Sequence, residues 1–299
     1  MARIVAVHGI GQQFKGNAII HSEWWAPFLS GLQLAGRELT DEREFTCPFY
    51  GHLFRPPGAM SVSDSLRVDD IGEEEAELLK RFWLATSAVD QTVPSPEEFG
   101  FGMSLARTPQ FLQRALNALS QSSFWANASE SLLIGDLRQV VRYFKESDLH
   151  DQILNIVLNQ ISGDTQVVIG HSLGSVVAYE ALCQKPANVV SFISLGSPLA
   201  IRNLIFDKLT PRPNTEEIGA WPGKIKYWTN IADKGDIVAL EKQLHKFFGD
   251  DVKDILVFNG SNAHHGENYL TTKEVGEAAC EGLWGTKASD HRMTNAVDH

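Results

Sequence analysis

Apolar residues follow two rhythms along this chain, and their alternation predicts the order of elements. Short apolar, β-branched runs at Ile4–Val7, Val167–Ile169, Val189–Leu195, Ile225–Ile231 and Ile255–Phe258 read as buried strands. Glu44–Tyr50, with Phe45, Thr46, Phe49 and Tyr50, is a sixth candidate closed by Gly51. Between these runs the apolar positions recur every three or four residues. A helix capped by Ser22 is expected through about Ala35, and others over Glu73–Thr86, from Thr108-Pro109 through Leu119, and from Leu133 through Phe144. Helical spacing continues from Leu149 to Ile161, and further helices are expected over Leu199–Leu209 and from about Thr272 to Leu283. Strands that alternate with helices of this length argue for an α/β fold on a mostly parallel sheet.

Two stretches fall outside that alternation. Arg55-Pro56-Pro57-Gly58 can continue neither a helix nor an interior strand, and from Pro56 to about Phe124 only helical spacing is found. The expected organisation is one domain over 1–299 with a helical insertion over 56–124 and a polar, frayed tail over 285–299. The aromatic pairs Phe82-Trp83 and Phe124-Trp125 suit an acyl pocket or transient contact with a membrane surface, although packing between insertion and core accounts for them more simply.

Composition narrows the function classes. A formal charge of −11 with no basic run argues against a nucleic-acid partner. Cys47, Cys183 and Cys280 are odd in number and set among apolar neighbours, which favours buried thiols over disulfides or metal ligands and makes the cytoplasm the expected compartment. No stretch approaches the length of a transmembrane segment.

The chemistry centres on Gly170-His171-Ser172-Leu173-Gly174. A strand precedes it and an apolar helix follows, so the serine falls on a sharp turn where Gly170 and Gly174 make room and its hydroxyl stands at the strand tip. That is the geometry of a nucleophile elbow. Together with His8-Gly9-Ile10-Gly11 near the start and Leu195-Gly196-Ser197-Pro198 after the next strand, the pattern resembles the lipase-like, serine esterase branch of the α/β-hydrolase superfamily. The resemblance covers both ends of the chain and is weak from about Pro56 to Phe124.

It implies an α/β-hydrolase fold, with the insertion as a lid over the strand tips. The Gly-rich loop would supply an oxyanion hole from the Ile10 and Leu173 N–H groups, with His8 structural. Chain order in that fold is serine, acid, histidine. Two loops after expected strands satisfy it: one carries Asp233 and Asp236, the other His264 and His265. The resemblance favours Ser172, Asp236 and His264, and leaves Asp233 and His265 as alternatives.

The chemistry so implied is hydrolysis of a small-molecule carboxylic ester, lipid or other acyl, through an acyl-enzyme, with no cofactor and no metal. A zinc site from the His pair would lack further ligands at metal spacing. The competing reading is a catalytically silent or partner-gated hydrolase scaffold that serves as a binding or regulatory module.

Overall fold

The computed structural model describes residues 2–55, 66–99, 108–122, 129–185, 188–260 and 263–285. Six strands form one sheet: β1 (Ile4–Val7), β2 (Phe45–Thr46), β3 (Val167–His171), β4 (Ser191–Leu195), β5 (Tyr227–Asp233) and β6 (Val252–Val257). Every neighbouring pair is parallel, in the order β2-β1-β3-β4-β5-β6. The helices are α1 (Asn17–Leu34), α2 (Glu73–Val89), α3 (Pro109–Gln121), α4 (Glu130–Lys145) and α5 (Ser147–Leu158). After β3 come α6 (Leu173–Gln184), α7 (His245–Phe248), α8 (Gly266–Leu270) and α9 (Lys273–Trp284).

The strands are apolar throughout because both faces of the sheet are covered. Ile4 and Ala6 of β1, with Val167 and Ile169 of β3, pack into one core with Trp24 and Phe28 of α1 and Val275 and Ala279 of α9. Val5, Val7 and Val168 point the other way, into a second core with α5 and α6. Burial of each such side chain is worth roughly 1.5–3 kcal/mol.

The order of strands places the functional end. From β1 the chain passes by α1 to β2 on one side, and from β3 it passes by α6 to β4 on the other. The loops leaving β1 and β3 therefore diverge, and the crevice between them lies at the carboxyl ends of the strands, where open parallel sheets bind ligands.

Several expected boundaries differ. α1 begins at Asn17, and Ser22 is no cap but lies inside the helix with its hydroxyl donating to Ile19 O at 2.9 Å. Ile20 is fully buried, so the apolar stripe starts before the serine. The strand expected over 44–50 is reduced to Phe45–Thr46, since Pro48 has no N–H for a ladder. β5 runs two residues past its expected end, making Asp233 the last strand residue.

The helix expected over 199–209 does not form. The segment makes turns and a short 3₁₀ stretch, Phe206–Lys208, and Asn203 has φ +65°. Leu199, Ile201, Ile205, Phe206 and Leu209 are all buried, so tertiary packing overrides helical periodicity.

Between β2 and β3, α2 and α3 pack on each other and on α4, and Leu79, Trp83 and Leu116 join the core on the α6 side of the sheet. Thr108 caps α3 by accepting from Phe111 N–H at 3.2 Å, with Pro109 at the first helical position. Trp83 is fully buried and its indole N–H donates to Pro94 O at 2.8 Å, so of that aromatic pair it is a core residue. Phe124-Trp125 and the tail beyond Gly285 lie outside the described residues. The cysteines are free thiols, and among the described residues no helix is long and apolar enough to cross a membrane.

Candidate functional site

Ser172 joins β3 to α6 with φ +53° and ψ −131°, a conformation L-residues rarely adopt. Its strain, on the order of 1–3 kcal/mol, is held by neighbours. The Ser172 N–H donates to Leu195 O at 3.0 Å, and the Ser175 hydroxyl donates to Ser172 O at 2.6 Å. A Cβ on Gly174 would lie 2.2 Å from Val7 O, and one on Gly170 would lie 2.5 Å from Ser175 Cα. Neither position admits a side chain, which ties the turn to the ends of β1 and α6.

The loop after β1 runs against the serine: a Cβ on Gly9 would lie 2.8 Å from Ser172 Cβ. His8 anchors this loop. Its Nδ1–H donates to Gly9 O at 2.7 Å, its Nε2 accepts from Tyr50 N–H at 3.3 Å, and its ring stacks on Tyr50. Burial lowers its pKa to about 4, so His8 is a neutral structural residue. Ile10 and Leu173 line one cavity with Ser172 and His264. Leu173 opens α6, so its N–H has no partner within the helix and lies at the positive end of the helix dipole.

The two aspartates separate clearly. Asp236 Oδ2 accepts from His264 Nδ1 at 2.8 Å and from the Tyr269 hydroxyl at 2.8 Å, while Oδ1 accepts from the N–H groups of Val238 and Ala239. Burial pushes this carboxyl upward, but the His264 charge, the His264 and Tyr269 hydrogen bonds and the Val238 N–H outweigh it and hold it below the ordinary carboxylate value. Asp233 faces elsewhere. Its carboxylate accepts from Gly235 N–H at 2.6 Å and from Asn259 N–H, fastening the loop after β5 to the loop after β6. His265 is exposed and lines the cavity beside His264 without a hydrogen bond to Asp236.

With Nδ1 engaged by the carboxylate, the other ring nitrogen of His264 is Nε2, the atom that serves as base when an imidazole is so oriented. His264, Asp236 and the strained Ser172 thus come from the ends of β6, β5 and β3, whose parallel course brings three distant stretches to one rim.

The cavity has a volume of about 490 Å³. Leu78, Leu79 and Phe82 of α2 and Leu119 of α3, with Leu133 and Leu137 of α4, give the cavity an apolar wall. The sequence does not point to three further residues here: His171, whose Nε2–H donates to His264 O at 2.7 Å, and Asp136 and Gln12, which line the cavity. Asp136 carries a readable signal. It stands three residues after Leu133 and four before Val140, on the flank of the buried stripe, where a carboxylate is out of place.

Among the described residues, no group of three or more His, Cys, Asp and Glu side chains could hold a metal ion. Comparison of the chain with protein-family models, with curated proteins and with solved structures gave no match.

Proposed function

We propose that this chain is a serine hydrolase of the α/β-hydrolase type that cleaves carboxylic esters through an acyl-enzyme. The observation that carries the reading is the His264–Asp236 pair facing a cavity that also holds Ser172 in a strained turn. The apolar wall supports an acyl substrate.

In this mechanism Ser172 Oγ attacks the ester carbonyl carbon while its proton passes to His264 Nε2. The carbonyl oxygen gains negative charge, which the Ile10 and Leu173 N–H groups stabilise without reorganisation. Asp236 stabilises the imidazolium and fixes its orientation. As the tetrahedral intermediate collapses, the bond to the alcohol oxygen breaks and His264 returns the proton to the leaving alcohol. Water, deprotonated by His264, then attacks the acyl carbonyl, and Ser172 leaves with its proton restored.

The test is labelling of the purified full chain with a fluorophosphonate, followed by peptide mapping. Covalent modification at Ser172 that is lost in Ser172→Ala and strongly slowed in His264→Ala supports the reading. Failure of the folded wild type to label, with and without detergent micelles, would favour a silent scaffold that acts by binding.

A further inference from the structure

Asp136 projects from α4 into the cavity on the side of the loop that carries Ile10. A Cβ on Gly11 would lie 3.6 and 3.9 Å from its two carboxylate oxygens. Among the described residues Asp136 makes no hydrogen bond and no ion pair. Its neighbours are already engaged. Lys15 pairs with Glu23 at 2.5 Å, Arg138 donates to Asp70 O, and Gln139 accepts from Gly11 N–H and donates to Gln13 Oε1.

Gln12 lines the same cavity, and its Oε1 is a buried acceptor with no hydrogen-bond partner among the described residues. Glu267, from α8, contributes a third acceptor side chain to the lining. The remaining titratable groups facing this space are Lys15, whose ammonium pairs with Glu23, and His171, His264 and His265. His171 is held neutral by burial, with its pKa lowered to about 3, and His264 is committed to Asp236.

At the Asp136 and Gln12 side of the cavity the acceptors therefore lack protein donors, since the Lys15 ammonium is turned to Glu23. A buried acceptor without a partner is costly, so the ligand that fits brings donors of its own. An apolar alcohol would leave these groups unpaired. A phosphate-bearing alcohol would place negative charge against carboxylates.

We infer that Asp136 and Gln12 form a subsite for the alcohol part of the substrate, and that this part is a neutral or cationic alcohol carrying further hydroxyl or ammonium donors, with the acyl chain along the Leu78–Phe82 wall. This inference rests on the esterase reading and specifies its substrate class. Asp136 is a specificity-determining residue, distinct from the groups that move protons at the scissile bond. Burial raises its pKa to about 7, opposed by the His264 charge, so the carboxyl accepts most strongly at and above neutral pH.

The experiment compares three octanoyl esters: n-propyl, 2,3-dihydroxypropyl and the phosphoglycerol ester. It measures kcat/KM for each with the wild type, Asp136→Leu and Asp136→Asn, with fluorophosphonate labelling of Ser172 in parallel. The wild type is expected to prefer the dihydroxypropyl over the propyl ester by about tenfold or more and to disfavour the phosphorylated one. Asp136→Leu should bring the dihydroxypropyl preference to within about twofold of unity. Asp136→Asn, which keeps an acceptor and the side-chain shape, should lower it by about threefold, and it decides the matter where the leucine variant fails to fold. Labelling at Ser172 with a wild-type ratio near one, or a ratio unchanged in the folded variants, overturns the subsite and leaves the esterase intact. Absence of labelling overturns both.

Discussion

His171 Nε2 donates a hydrogen bond to the main-chain carbonyl of His264 at 2.7 Å, and their rings lie 4.7 Å apart. A carbonyl only accepts, so the proton of the neutral His171 ring is on Nε2. The residue before the serine thereby fixes the backbone of the loop that delivers His264. If Ser172 and His264 act as proposed, His171 is a positioning residue for the base. His171→Phe keeps a ring of similar size and removes the donor. It should lower kcat by about tenfold with a much smaller change in KM, since substrate and transition state both meet a misplaced imidazole but only the transition state needs its basicity. Steady-state kinetics on one aryl ester would decide; a rise in KM at constant kcat would assign His171 to substrate binding instead.

Asp233 and Asp236 should differ in kind when each is changed to asparagine. Asp236→Asn removes the charge that holds the His264 tautomer and should lower kcat by about 10³–10⁴-fold with the fold intact. Asp233→Asn weakens the two N–H contacts that join the loops after β5 and β6, and should cost about 1–3 kcal/mol of stability. Thermal melts read beside kcat would separate the two. Equal kinetic losses in both variants would mean that the His264–Asp236 geometry is not the functional one.

A second buried carboxylate ties the sheet's flank together. Glu180 of α6 accepts from the Tyr143 hydroxyl at 2.5 Å and from Thr210 N–H at 2.8 Å, and pairs with His150 Nε2 at 3.0 Å. The Glu180 hydrogen bond raises the His150 pKa, with burial opposing it. A base raised above its unfolded value of 6.5 contributes stability that is fully present below that pH and is lost as pH rises through the folded value. Glu180→Gln should therefore destabilise more at pH 6 than at pH 9, by on the order of 1 kcal/mol. Denaturant melts at the two pH values are the check, and a pH-independent penalty would show that His150 stays neutral in the fold.

What the sequence made legible follows from how locally each feature is encoded. The strands β3 and β4 and the turn at Ser172 stand out because an apolar run, two glycines and an apolar helix are contiguous. Helices α2 to α5 were readable from their stripes, and Thr108 and Thr272 act as caps through their own side chains. The segment 199–209 misleads because its apolar residues serve a packed irregular chain, a fact set by its surroundings. The preference for Asp236 over Asp233 came from the resemblance alone, because the apolar run ends at Ile231 and does not show that β5 continues to Asp233. Asp136 is 36 residues from the serine in sequence, and only the packing of α4 over the strand tips brings it to the cavity.

Asp136 also predicts a pH dependence of stability. Its unfolded carboxyl titrates near 3.8, and burial moves the folded value up to about 7. Between these values the native state holds a proton that the unfolded chain has released, so stability falls as pH rises through this window and the full cost is present above it. Asp136→Asn imitates the protonated form at every pH. It should match the wild type near pH 4 and exceed it at pH 8.5 by on the order of 2–4 kcal/mol. The widening gap, read as a difference in melting temperature across pH, distinguishes a desolvated carboxyl from one that water reaches freely, for which the two proteins would melt in parallel. The same measurement with a non-hydrolysable dihydroxypropyl ether of the octyl chain bears on the subsite. A donor delivered to the ionised carboxylate relieves part of the desolvation cost, so the ligand should raise the wild-type melting temperature more than that of the asparagine variant at pH 8.5, and equally at pH 4.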